Sequence, residues 1–339
     1  MKIAIIGADR ADSMEFHLKD AFMHLGHDVI IFDIYSFALF KNKSLRPYAQ
    51  SVDKFLRTSN DKYDARRFKT LSNNVKSFNP DLIVCLYKDI HPSFIDNVKS
   101  SSNVVIHVNP DQMTTLGYQQ VFAGNYDAWF TKDKYMLRFM TDNMHLNTFP
   151  YTEAFNHRYN PKPMIEKPDL ERELDIDVAT YGTLYPYRTR MLGEIIRGGI
   201  DIKLYGVVPH RFFDNTLAPY CTGKYIVGEE KAKVLYGSRI VLNNLHFAEV
   251  ESVNCRFFEA NGCGAFQLCD YRPILAELLP VDPETVSFKD TNDAIDKIKY
   301  YLYHADERHE IANKIYSHFL EHYTYDHLAK YLLKTVSEL

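Results

Sequence analysis

The sequence predicts an α/β protein of two domains, each built on a parallel sheet. Three observations carry that prediction. Short apolar runs that close on glycine or a polar residue recur along the 339 residues, as buried parallel strands do. Stretches of helical periodicity separate them. The pattern also starts afresh in mid-chain, where Asp177-Val178-Ala179-Thr180-Tyr181-Gly182 repeats the form of Lys2-Ile3-Ala4-Ile5-Ile6-Gly7. A chain of this length divides by default into domains of ~150 residues.

Taken in order, Lys2 to Gly7 is the first strand. Met14, Leu18, Ala21, Phe22 and Leu25 then stand at helical spacing, and Gly26 closes that helix as glycine does past a last turn. His27 to Asp33 is the second strand, which completes a β-α-β unit and implies parallel pairing. The loop between them, Gly7-Ala8-Asp9-Arg10-Ala11-Asp12, lacks G-x-G-x-x-G spacing and disfavours a nicotinamide site. Residues 41 to 79 read as helical. Leu82 to Leu86 is a further buried strand, and residues 103 to 111 form another that ends in His107, Asn109 and Asp111. Tyr126 to Thr131 reads as strand, 133 to 142 as helix, and Thr148 to Tyr151 as a last short strand. Pro163 and Pro168 in a charge-rich run point to a linker over 161 to 172. The expected domains are therefore 1–170, 171–322, and a C-terminal segment 323–339.

The second half repeats the alternation. After Gly182 comes a helix containing Arg188 and Arg190. Asp201-Ile202-Lys203-Leu204-Tyr205-Gly206 is strand and turn, and a helix follows Gly228. Arg239 to Asn243 is strand. The rest is helical with one short edge strand near Val286, and a break near His304 and Ala305. The aromatic stripe of that tail has core spacing.

Composition excludes several function classes. Hydrophobic residues make up 46% and charged residues 25%, with a net charge of −4, so nothing electrostatic points to nucleic acid. The 24 tyrosines and 22 phenylalanines fit an aromatic-rich core and also sugar-stacking surfaces. Five cysteines without C-x-x-C spacing indicate neither a disulfide framework nor zinc, and fit a reducing cytoplasm. The four histidines from His304 to His322 lack paired spacing with carboxylate support, so no metal is expected. No signal peptide or run of ~20 apolar residues is apparent. Cytoplasmic residence, with contact at the inner membrane face left open, is the expectation.

The chemistry concentrates between Leu242 and Leu268. Glu251 and Glu259 stand eight positions apart with Asn254 and Arg256 between them, beside Gly262 and Gly264. Such charges are seldom buried unpaired, and ligands of open α/β sheets bind outside the carboxyl ends of strands. Two readings of Asp9 and Arg10 stand, as groups facing a substrate or as helix caps. His107 is either a ligand contact or a histidine hydrogen-bonded under a loop. Taken alone, Arg188 and Arg190 read as solvated helix residues.

Glu251 with Glu259, the run Ser252-Val253-Asn254-Cys255-Arg256-Phe257-Phe258-Glu259-Ala260-Asn261-Gly262-Cys263-Gly264, and Gly182-Thr183-Leu184-Tyr185-Pro186-Tyr187-Arg188 together resemble the GT-B glycosyltransferases. The CgeB-like (spore maturation protein, glycosyl transferases group 1) branch is the part of the family they resemble. That resemblance implies two Rossmann-like domains facing across a cleft, with the C-terminal helix crossing back to the first. It implies a nucleoside-diphosphate sugar as donor and a glycan, lipid or protein as acceptor. Transfer would retain anomeric configuration and need neither metal nor cofactor. Catalytic roles would fall to Glu251, Arg188, Arg256 and His107. Donor binding would fall to Gly182, Tyr205, Gly206, Asn254, Glu259, Gly262 and Gly264, with Asp9 and Arg10 in a cleft loop. In this sequence Thr183 stands where relatives carry a second basic residue, so Arg256 or Arg190 replaces it or the phosphate is held differently. Two other functions share the fold. A sugar-nucleotide epimerase would need an acid and a base from His107, His210 or Asp111, and a non-catalytic sugar-nucleotide-binding protein would need neither.

Overall fold

A computed structural model describes residues 1–35, 46–100, 103–111, 119–209 and 211–339. By its internal contacts the chain divides into two units, Met1–Tyr151 with Leu328–Leu339, and Thr152–His327. Each unit contains one sheet, and every strand pairing in both is parallel.

The first unit's strands are β1 (Lys2–Gly7), β2 (Asp28–Asp33), β3 (Leu82–Cys85), β4 (Val104–Val108), β5 (Ala128–Thr131) and β6 (Thr148–Pro150), in the order β2-β1-β3-β4-β5-β6. The unbroken apolar runs of β1 and β3 are buried, because helices cover parallel strands on both faces. The helix Met14–His24 starts where the Ser13 hydroxyl accepts from the Phe16 N–H at 3.2 Å, satisfying one of its free donors. The helices Arg46–Ser59 and Asp61–Phe78 supply the crossover that the sequence places over 41 to 79. Residues 41 to 45 of that span lie outside the described residues.

The second unit's strands are β7 (Ile176–Tyr181), β8 (Ile202–Tyr205), β9 (Ser238–Asn243), β10 (Gln267–Asp270) and β11 (Ser287–Phe288), in the order β11-β10-β9-β7-β8. Its core joins Val178, Leu204, Ile240, Phe257, Phe258 and Phe319. The aromatic stripe of the tail contributes Tyr301 and Phe319 to this core, as its spacing predicts.

Two boundaries differ from the sequence expectation. Lys167–Leu174 is a helix rather than linker, with Pro168 in its first turn, where a missing N–H removes no helical bond. Leu170 is buried, and a Cβ at Gly237 would stand 2.7 Å from its Cγ. Glu171, also buried, accepts from Arg308 Nη2 at 2.8 Å. These contacts place residues 152 to 170 with the second sheet. The final helix starts at Tyr325 rather than 323, and the first unit resumes at Leu328.

Candidate functional site

In the second unit the chain leaves β7 for β8 on one side and later returns to β9 on the other. The carboxyl ends of β7 and β9 therefore form the switch point where open α/β sheets bind ligands. Gly182 follows β7 with φ +99°, and its N–H donates to Tyr205 O at 3.0 Å. A Cβ on Gly206, whose φ is +128°, would lie 2.2 Å from Gly182 O. A Cβ on Gly182 would lie 2.7 Å from Arg256 Nη1 and 3.6 Å from Arg188 Nη1. Both positions need glycine for conformation and for space. The Tyr205 ring is buried against the sheet beside Tyr181, Ile226 and Ala232.

Two guanidiniums meet at this place. Pro186–Arg197 follows the short loop after β7 and puts Arg188 in its first turn. Cys255–Gly262 starts at its cap Asn254, whose side chain accepts from the Phe257 N–H at 3.1 Å. That cap fixes Arg256 in the first turn of the helix after β9. Arg256 spans the switch point, donating from Nη1 to Tyr181 O at 3.4 Å and from Nη2 to Asn244 O at 3.1 Å. Arg188 is 3% exposed. It donates to the Thr180 hydroxyl and, at 3.3 Å, to Thr183 O, while its Nε finds no partner. Burial and then the neighbouring Arg256 hold the Arg188 pKa well below its ordinary value.

Neither arginine has a carboxylate within 4.0 Å among the described residues, and neither helix carries an acidic residue in its first turn. Cations are placed at the positive ends of two helix dipoles, where anions are favoured. Among the described residues the other deeply buried arginine, Arg308, does have a carboxylate, Glu171 at 2.8 Å. The Arg188–Arg256 pair thus brings two cations together with no carboxylate within 4.0 Å among the described residues, and Asp270 acts on Arg188 only from beyond that distance.

Around it the polar groups are fixed. Asn243 at the end of β9 accepts from Arg256 Nε at 3.3 Å and exchanges amide hydrogen bonds with Asn254, at 3.1 and 3.3 Å. Its amide also donates to Gln267 at 2.9 Å. Asp270 accepts from the Leu245 N–H at 2.6 Å and pins the start of the loop after β9. Burial raises its pKa against the pull of that N–H. Glu259 accepts from the Tyr181 hydroxyl at 3.0 Å and pairs with Lys231 Nζ at 3.0 Å. Lys231 is 1% exposed. Sequence reasoning missed it, though its place on the helix Gly228–Gly237 beside the buried Ala232 and Leu235 is a readable signal: a lysine on an apolar face needs a partner.

Other expected site residues lie elsewhere or do other work. Gly262 and Gly264 stand at the carboxyl end of their helix, where free groups are carbonyls rather than N–H donors. A Cβ on Gly262 would lie 2.2 Å from the Phe155 ring, and Gly264 turns the chain at φ +78°. Both are packing and turn glycines, not phosphate contacts. Asn254 serves as helix cap. Glu251 is half-buried in the loop between β9 and the helix Cys255–Gly262. Arg190 is exposed and pairs with Glu194 at 3.5 Å, which leaves Arg256 as Arg188's neighbour. His210 lies outside the described residues.

In the first unit, Ser13 rather than Asp9 or Arg10 caps the helix. Arg10 is exposed and lies over the Tyr35 ring, 4.8 Å from its centroid. Glu15 accepts from the Ala8 N–H at 2.9 Å, and its Oε1 would be 2.2 Å from a Cβ on Gly7. A carboxylate already occupies the loop where dinucleotide binders place pyrophosphate. Asp111 is exposed after β4.

His107 is a correction to the expected catalytic set. It is fully buried, with Tyr126 at 5.3 Å and Trp129 at 5.0 Å between ring centroids, and neither ring nitrogen has a hydrogen-bond partner. Burial lowers its pKa to about 3, against a small opposing effect from the Tyr87 backbone. A ring without exposed surface cannot reach substrate, and its chemistry is that of a neutral core residue. With the folded value near 3 and the unfolded value 6.5, the unfolded chain binds more protons between them. Stability from this residue is whole above pH 6.5 and falls as acid approaches pH 3, by at most ~1.4 kcal/mol per pH unit. Urea unfolding of the parent and His107→Phe between pH 7 and 4.5 should show the shallower decline in the variant. Equal slopes would refute the assignment.

Residues 188–334 match the family described as Glycosyl transferase-like. No curated protein matches the chain in sequence. Among solved structures, sucrose-phosphate synthase from Thermosynechococcus elongatus is 12% identical with a TM-score of 0.70, over 100% of this chain and 98% of that one. HepE of Anabaena, in complex with UDP, is 11% identical with a TM-score of 0.66 and 100% of both chains covered. The catalytic domain of starch synthase IV from Arabidopsis thaliana, bound to ADP and acarbose, is 10% identical with a TM-score of 0.64, over 100% and 99%. The two parallel α/β sheets are those of the GT-B fold, and the second unit carries most of the glycosyl transferase-like region, up to His327.

Proposed function

We propose that the protein is a glycosyltransferase that takes a sugar from a nucleoside-diphosphate donor, with the diphosphate held between Arg188 and Arg256. The observation that carries the reading is the pair of guanidiniums at the switch point, without a carboxylate in reach. A diphosphate supplies that missing charge, and its oxygens match the forked guanidinium donors. The match to the glycosyl transferase-like family supports it, as do structures of similar fold bound to UDP or ADP. On this reading Arg256 takes the role of the basic residue that Thr183 does not supply.

Transfer breaks the bond between the anomeric carbon and the β-phosphate oxygen and forms one to an acceptor hydroxyl oxygen. The acceptor's proton passes to the departing phosphate oxygen. Negative charge grows on that phosphate, and Arg188 and Arg256, fixed before the reaction, stabilise it. Preorganised charge of this kind is usually the largest catalytic contribution. Glu251 contacts the donor sugar and Glu259 the ribose. Retention of configuration, independence from metal, a glycan, lipid or protein acceptor, CgeB-like membership and a cytoplasmic setting complete the proposal. An epimerase is the weaker reading, since His107 offers it no acid or base.

The test is thermal stabilisation by UDP, GDP, dTDP, ADP and CMP, with NAD as control. A ligand at ~100 times its dissociation constant adds about 2.7 kcal/mol. One nucleoside diphosphate should raise the midpoint in the parent and not in Arg188→Met, and its sugar conjugate should release that diphosphate on turnover. A response to NAD alone would sink the reading.

A further inference from the structure

Among the exposed aromatic residues, one group stands beside the two arginines. Tyr185, Tyr187 and Phe247 are 54%, 50% and 63% exposed. They lie next to the two arginines: Tyr185 caps the helix Pro186–Arg197 and Tyr187 directly precedes Arg188 in it, while Phe247 stands three residues after Asn244, whose carbonyl accepts from Arg256. The loops meet through these rings, Tyr185 with His246 at 6.3 Å and Tyr187 with Phe247 at 6.0 Å, both edge-on. His246 and Phe247 are 4.3 Å apart. Edge-on pairing leaves ring faces open to a third partner. Exposed apolar surface with polar groups around it marks a binding site more often than chance.

From this we infer that the aromatic clasp is the subsite for the donor's sugar ring; the inference rests on the diphosphate reading of Arg188 and Arg256. A pyranose has an apolar C–H face to lie on an aromatic ring and hydroxyls at its rim. The loop that carries Phe247 also carries Glu249 and Glu251. Glu249 is buried and accepts from the His246 N–H at 3.1 Å, bracing the loop, and Glu251 is half-buried. Glu251, a half-buried carboxylate on the same loop, suits a ring rimmed with hydroxyl donors better than it suits a nucleobase. The anchor next door fixes the anionic end of the same molecule, so the sugar need only turn onto the clasp.

The experiment compares calorimetric binding of UDP, GDP, dTDP and ADP with that of their glucose and N-acetylglucosamine conjugates, in the parent, Tyr187→Ser and Phe247→Ser. Ligand-free thermal midpoints serve as the folding control and should not move, since both side chains are half or more exposed. Each variant should bind the sugar conjugate about tenfold more weakly, with the free nucleoside diphosphate unchanged within about twofold. Equal losses for conjugate and free nucleotide would mean that the clasp holds the nucleotide, and would overturn the inference. So would unchanged binding of both. A parent that binds none of the nucleotides would instead fail the diphosphate reading, and this inference with it.

Discussion

Arg188→Met weakens nucleoside diphosphate binding at least ~100-fold and leaves the ligand-free protein no less stable than the parent. The first half follows from losing two charge-assisted hydrogen bonds to phosphate, each ~1.5–3 kcal/mol. The second is the sharper claim. In the ligand-free protein Arg188 is 3% exposed, its Nε has no partner, and its cationic neighbour is Arg256. A buried charge in that setting is a cost, and an apolar side chain of similar volume relieves it. Arg308→Met is the matched control. It is buried as deeply but pairs with Glu171 at 2.8 Å, so its removal breaks a buried ion pair, leaves Glu171 to Lys167 at 3.8 Å and His309 at 3.1 Å, and should destabilise the fold. Urea unfolding of the three proteins, with calorimetry of the best nucleotide, separates the cases. If Arg188→Met is destabilised as much as Arg308→Met, Arg188 is a structural residue and the anion site is misassigned.

Glu259→Ala lowers stability by ~3–5 kcal/mol, whatever Glu259 does for ligand. The substitution removes the carboxylate 3.0 Å from Lys231 Nζ, and Lys231 is 1% exposed on the face of its helix. Breaking one side of a buried pair costs more than the pair contributes, while replacing both sides can be nearly neutral. Lys231→Met combined with Glu259→Leu should therefore recover most of the loss, measured by the same unfolding curves as a double-mutant cycle. Additive effects in the double variant would disprove the coupling. Loss of nucleotide binding in Glu259→Ala consequently has two causes, and Glu259→Gln, which keeps an acceptor for the Tyr181 hydroxyl, is the variant that reports on ligand contact.

How much of this was legible differs by level. Strand positions were plain in the sequence because buried parallel strands are continuous apolar runs, as in Ile3-Ala4-Ile5-Ile6 and Ile240-Val241-Leu242, and a run of that kind has few alternatives. Glycine positions were visible too, but not their roles. Gly182 and Gly206 make room for the strand ends and an arginine, whereas Gly262 makes room for Phe155, and both needs leave the same letter. Pro168 shows the same ambiguity: it marks a linker or a helix's first turn, and only the burial of Leu170 and Glu171 decides between them. His107 at the end of an apolar strand had two readings, a ligand contact or a histidine hydrogen-bonded under a loop, and the aromatic rings beside it make it a buried core residue instead.

By itself the sequence determined two parallel α/β sheets and the stretch in which the site would fall, because periodicity and turn residues act over neighbouring positions. The tertiary structure decided which charges have partners. Arg308 and Lys231 meet carboxylates 137 and 28 positions away, while Arg188, an arginine of similar burial, donates only to Thr180 and Thr183, with Arg256 as its strongest charged neighbour and Asp270 acting from farther off. Charge compensation acts through space over a few ångströms, and the order of residues along the chain does not record it.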